Sequence, residues 1–475
     1  MKRWWRTARH SAAVGALALA MAIVPRMGAA ETLGSTLTSA YENSGLLDQN
    51  RALLRAADED VASAIAALRP VINWEANFRR NFGTQGSEIG GVFSESGISD
   101  SQVDLGVNLQ LLLYDFGESR LRVDIAKETV LATRQSLLGV EQDVLLRAVQ
   151  AYFGLREANE TVALRENNVR LISRELRAAQ DRFEVGEVTR TDVSLAEARL
   201  ARARANLAVA EGNRTEAIEE FRAAVRRPPG ALSPPNSLPR LPASLEEARG
   251  LAVRNHPDIK RAQRNVTVAE LGVALADAGL YPDISLTAGL QARETVDSEA
   301  YGRTGSVSIG AQGPIYQGGR LTSQIRAAMA RRDESRAVLL QVSDQLAQTA
   351  ATAFARVQSR RAALEASQRE VRAAQLAFEG VREEATLGAR TTLDVLDAEQ
   401  DLLDARANII AANAQLYTAA YQLLAAIGVL TAEDLNLPVK RYDPAQYYNL
   451  VKDAPAAVSR QGRELDRVLR AIGKE

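Results

Sequence analysis

Long stretches of this chain place apolar residues at every seventh position. Leu131, Leu138, Leu145 and Tyr152 form one such series, and Leu155, Val162, Val169, Leu176 and Phe183 form a second. A sustained sevenfold apolar spacing specifies helices packed as coiled coils. The run from Leu121 to Phe183 holds 63 residues, which makes roughly 95 Å of helix at 1.5 Å per residue. It stops at Val185-Gly186-Glu187, and a second run follows through Val193, Leu200, Leu207 and Phe221, interrupted at Arg214. Glycine closing one helix, with Thr189 and Asp192 opening the next, marks the tip of a helical hairpin near 186. Alanines at 196, 203, 210, 217 and 224 add a second close-packing row. Two packing faces suit a closed cylinder of helices better than an isolated pair.

The pattern returns 202 residues later: VGEVTRTDVSLAEARLARARAN at 185–206 is matched by LGARTTLDVLDAEQDLLDARAN at 387–408. The second tip is Leu387-Gly388-Ala389. An internal repeat of this size makes the chain two copies of one unit, expected at 31–227 and 244–430. Between them, the stretch from Arg227 to Pro242 carries six of the fourteen prolines, so 228–243 reads as a linker. Residues 431–475 read as a polar tail.

Within each copy the apolar period drops from near 3.6 to 2. Strands are expected at 70–82, 101–113, 282–293 and 305–315. Their apolar positions are Ile72, Trp74 and Phe78; Val103, Leu105, Val107 and Leu109; Ile284, Leu286 and Leu290; and Val307 and Ile309. A soluble sheet with one wet face would show the same alternation. Strands of about ten residues, with Tyr114, Tyr281 and Tyr316 gathered at one end, favour an outer-membrane barrel whose apolar positions face lipid. Four strands cannot close a barrel, and open edges are not tolerated in lipid, so the chain must then oligomerise. The segments at 80–100 and 294–305 are expected as loops outside the cell.

Composition narrows the class further. Residues 1–30 have the basic start, short apolar run and small-residue end of a secretory signal, a retained anchor being the alternative. Removing them leaves 53 basic against 59 acidic residues, a mature charge of −6 that gives no sign of nucleic-acid binding. There is no cysteine, hence no disulfide, thiolate metal site or lipid anchor of that kind. No catalytic or cofactor motif is present, and His256, between Asn255 and Pro257, reads as a cap at a helix break rather than a base or ligand. The chain reads as a non-enzyme without a cofactor.

Signal, twofold repeat, paired strands and the VGxxTxxDV tip together resemble the TolC family of outer-membrane channel proteins, over about 31–450. The resemblance implies a mainly α fold with β: a coiled-coil helical barrel, with four strands from each of three protomers completing a twelve-stranded barrel. It implies a homotrimer in outer-membrane lipid, docking a periplasmic adaptor and an inner-membrane transporter of the ABC or RND type. The tail is similar to the branch that serves type I protein secretion. The adaptor is expected at the tips, Val185, Gly186, Glu187, Leu387, Gly388 and Ala389. In the family, residues matching Thr191, Asp192 and Arg390 link neighbouring hairpins to shut the periplasmic entrance, and those matching Asp394 and Asp397 line its narrowest point. Ala385 departs from the tyrosine common there. A periplasmic adaptor or soluble coiled-coil scaffold is the alternative from another class.

Overall fold

A computed structural model describes residues 31–471 apart from 236 and 457–458; the signal expected at 1–30 lies outside the described residues. Helix α1 (Leu33–Glu42) is capped by Thr32 and α2 (Gly45–Ala66) by Ser44. Each hydroxyl accepts a backbone N–H that the first turn leaves unpaired. Past Pro70 the chain becomes extended, in β1 (Val71–Ile89) and β2 (Val92–Tyr114). Phe116 and Gly117, both at positive φ, then turn it into α3 (Glu118–Glu184). That helix has 67 residues, about 100 Å, and α4 (Arg190–Val225) returns along it.

The same order of elements follows the proline-rich segment. Helices α5 (Leu245–Asn255) and α6 (Pro257–Ala278) lead to β3 (Asp283–Thr295) and β4 (Tyr301–Gln312), then α7 (Arg320–Thr386) and α8 (Thr392–Ala426). His256 ends α5 and caps α6, its Nδ1 accepting from the Asp258 N–H at 3.1 Å. Each long helix has a different partner along its length. Toward the tip α3 lies on α4 and α8, and toward the sheet on α2 and α6; α7 lies on α8, α6 and α5.

The four strands form one antiparallel sheet in the order β1-β2-β3-β4. Beyond the shared region, β1 and β2 continue as a two-stranded ribbon from Asn81↔Asp100 to Ile89↔Val92. The loop expected at 80–100 is therefore a hairpin whose turn is only Gly90-Gly91, both at positive φ. The loop expected at 294–305 shrinks likewise to the residues between Thr295 and Tyr301. Alternation alone could not reveal this, because Gly83, Gly86 and Gly97 and the serines between them break the apolar pattern while the backbone pairing continues.

The main core sits where α1 to α5, α7 and α8 overlap, around Tyr152, Phe153, Phe221, Leu423 and Leu430. The proline-rich connection is tied into it. The Glu31 N–H donates to the Ala231 carbonyl, the Glu31 carbonyl accepts from the Ser233 N–H, and the buried Tyr152 hydroxyl donates to the same carbonyl at 3.1 Å. The segment read as a polar tail folds back as α9 (Pro444–Val451) and α10 (Arg460–Ala471). Tyr447 donates to Glu59 at 2.6 Å, Val451 is fully buried, and Arg69 holds the Asp453 and Ala454 carbonyls.

Candidate functional site

Two regions carry the expected site residues, the sheet and the helical tips, at opposite ends of the long helices. In the sheet, cross-strand register decides which side chains share a face. Ile72 pairs with Leu109, Trp74 with Val107, and Phe78 with Val103. Leu109, Val107 and Leu105 oppose Ala288, Leu290 and Ala292, and Leu286 and Ala288 oppose Ile309 and Val307. A bulge between Leu112 and Tyr114 brings Tyr114 opposite Ile284, on the same side. All twelve positions named from the sequence thus lie on one face. Trp74, Phe78, Leu290, Val307 and Ile309 are each about two-thirds exposed or more in the single chain, on an apolar surface that ends at Glu294 and Arg303. The other face is polar and internally bonded. Arg293 donates to Asp104 at 2.6 Å, Asn108 to Glu75 at 3.2 Å, and Thr287 and Ser308 share a hydrogen bond of 2.7 Å.

At the tips, Gly186 and Gly388 sit at φ +80° and +77°. The left-handed residue lets the next N–H reach back: Glu187 donates to the Arg182 carbonyl and Ala389 to that of Glu384, both at 2.9 Å. This is the paired closure that favours glycine after a helix. Thr189 and Thr391 then cap α4 and α8 in reciprocal capping boxes with Asp192 and Asp394. Both carboxylates accept from the threonine N–H at 2.9 Å and hydroxyl at 2.8 Å. Those bonds hold both acids below the ordinary aspartate range.

The gate residues are distributed as follows within one chain. Thr191 is exposed beside the cap. Arg390 pairs with Glu384 of its own turn at 2.8 Å, not with Asp192, and its pKa is raised by that partner. Asp397 pairs with Arg199 of the other hairpin at 2.5 Å. Two residues on, Glu399 on α8 accepts from Asn168 on α3 at 3.1 Å, and both are buried. Burial, reinforced by Glu175, pushes Glu399 up to about 7, against the opposing effects of Asn168 and Arg199. Sequence reading passed over Arg199, Asn168 and Glu399. Glu399 carried one visible signal, its match to Glu197 in the repeat; nothing in the spacing marks Asn168.

A sequence model of the outer membrane efflux protein family matches residues 36–225 and 248–429. The chain belongs to that family. Its members are the TolC-type channels, and this one lies in the outer membrane with its helices in the periplasm. It is 34% identical over 425 residues to the outer membrane efflux protein BepC of Brucella suis, covering 89% of this chain and 91% of that one. To the alkaline protease secretion protein AprF of Pseudomonas aeruginosa it is 28% identical, over 70% of this chain and 71% of the other. The fold is similar to the crystal structure of the Campylobacter jejuni CmeC outer membrane channel, with a TM-score of 0.73, 16% identity, and 89% and 90% of the two chains covered.

Proposed function

We propose that three copies assemble into one export conduit, each giving four strands to a twelve-stranded barrel and its long helices to a periplasmic tunnel. The observation that carries this is the sheet: a membrane-length apolar face, a polar opposite face, and unpaired edges at β1 and β4. In a closed barrel the apolar face meets lipid and the polar face meets water. The tunnel would receive its cargo at the hairpin tips from a periplasmic adaptor and an inner-membrane transporter. Similarity to an efflux protein and to a protease secretion protein supports small toxic compounds or secreted proteins as cargo. A periplasmic adaptor or soluble scaffold is disfavoured by membership of an outer-membrane family.

Around the threefold axis, Asp394 and Asp397 would gather into a ring at the entrance, with Arg390, Thr191 and Asp192 close to the neighbouring hairpin. Arg199 would temper the charge of Asp397, leaving the ring cation-preferring. The same purified channels test docking and entrance together. Gly186→Trp with Gly388→Trp should abolish export in cells while trimers and bilayer conductance persist; normal export would refute docking at these turns. In that bilayer assay, Asp394→Ala with Asp397→Ala should weaken cation preference, and an unchanged preference would move the constriction elsewhere.

A further inference from the structure

The apolar face of the sheet is not even. Trp74, Val107, Leu290 and Gly305 form one cross-strand row, and Ala76, Leu105, Ala292 and Arg303 the next. The small residues leave a groove of about 590 Å3 across the four strands, walled by Trp74, Leu105, Val107 and Leu290. Leu290 leans over Gly305, its Cδ2 3.2 Å from where a β-carbon would stand. Arg303 closes the groove at the end away from the helices. It also borders a second hollow of about 340 Å3, formed with Glu294, Thr295, Ser298, Glu299 and Tyr301 at the turn between β3 and β4. An apolar slot running into a polar hollow, with an arginine at the junction, matches the shape of one amphiphile.

The depth fits as well. From Ile284 to Ala292, β3 advances about 27 Å at ~3.4 Å per residue, roughly 21 Å along the membrane normal at the ~40° tilt of barrel strands, most of an apolar band about 25 Å tall. Arg303, opposite Ala292, therefore stands at the outer rim of the band, where an arginine on the lipid side costs about 0–1 kcal/mol instead of about 2–4 at the midplane. On the opposite face Arg293 is taken up by Asp104; Arg303 is exposed and faces outward. The groove opens on the face of the sheet, not its edge, so a neighbouring strand against β4 leaves it accessible.

We propose that the groove and hollow bind one acyl lipid of the outer leaflet that carries a terminal phosphate monoester. An acyl chain lies between Trp74 and Leu290 over Ala292 and Gly305, and a phosphate sits on the Arg303 guanidinium. Glu294 and Glu299, beside the headgroup, favour a phosphate that arrives with a bridging divalent cation over a bare polyanion. The inference rests on the sheet facing lipid, as proposed above.

The test uses the mature full-length trimer, stripped of lipid in mild detergent and titrated in magnesium with bis-phosphorylated lipid A, dephosphorylated lipid A or phosphatidylethanolamine. Native mass spectrometry counts the lipids retained. The bis-phosphorylated form should bind up to three per trimer and the dephosphorylated form about tenfold more weakly, the worth of one charge-assisted hydrogen bond. Arg303→Gln should erase that difference, Ala292→Trp should exclude every lipid from the groove, and Arg372→Gln, remote on α7, should change nothing. Equal retention of the two lipid A forms, equal retention of phosphatidylethanolamine, or unaltered binding by Arg303→Gln would overturn the site. The lipid comparison uses the unaltered protein, so it decides even where a variant does not assemble. Outer-membrane fractionation and the trimer band of the same samples report on the barrel separately: intact trimers without selective lipid sink this site alone.

Discussion

Glu399 shows how much a single buried carboxyl near the tips can do. It is enclosed by Asn168 and Glu175 from α3 and Arg199 from α4, and burial raises its pKa from 4.5 to about 7. In the unfolded chain the same group ionises near its ordinary value. Between about pH 4.5 and 7 the folded protein thus holds a proton that the unfolded chain has lost, so rising pH removes stability across that window. Glu399→Gln keeps an acceptor for Asn168 without the charge. Its thermal midpoint should match wild type near pH 4.5 and exceed it above pH 7, by a stability on the order of 2 kcal/mol. Parallel pH profiles for the two proteins would show that the carboxyl is not buried charged. The neighbouring acids Asp192 and Asp394 teach the opposite lesson. Their Thr-x-x-Asp spacing was legible as a helix start, and their local bonds are those of capping boxes. What the sequence could not supply was the partner of each gate residue. The pair of Arg390 with Glu384 depends on how the tip turn folds, and that of Arg199 with Asp397 on which helices lie side by side, not on the repeat.

For the sheet elements, the period-2 alternation contained nearly all the information. It specified the faces, because in an antiparallel sheet with matched register every second residue of each strand lands on the same side. It did not specify the strand ends, where glycines and serines in the β1–β2 ribbon pair through backbone alone. Leu109→Arg and Val307→Arg, which flank Ala288 midway along the apolar face, should prevent stable insertion, at a cost of ~2–4 kcal/mol near mid-bilayer. Asn108→Arg and Thr287→Arg lie on the polar face, the first beside Glu75, and should be tolerated. Outer-membrane yield and the heat-modifiable band on a gel measure both pairs. Equal damage from the two faces would mean that both are buried in protein, as in a soluble sandwich.

At the scale of the whole molecule, the single chain is unfinished in two places, and the same neighbour would complete both. Helix α3 buries eighteen residues along its length, among them Leu145, Tyr152 and Phe153. The equally long α7 buries only Leu346, Ala350 and Val357, although it repeats the sevenfold spacing of α3. A helix patterned for packing yet bare on most of its surface needs a further helix beside it. The sheet at the other end has the complementary deficit: β1 and β4 each leave one row of N–H and C=O groups unpaired. In hydrocarbon every such group costs several kcal/mol, so a lone sheet cannot persist there. Rotating copies about one axis would set β1 of each against β4 of the next, and the same operation would bring α7 against a neighbouring hairpin. Four strands per chain give twelve in a threefold ring. The mass of the complex extracted in mild detergent should therefore correspond to three chains. Dilution should not release folded monomers, because barrel and tunnel close together. A monomer that stays membrane-bound and folded would refute the assembly, and with it the reading of β1 and β4 as mutual partners.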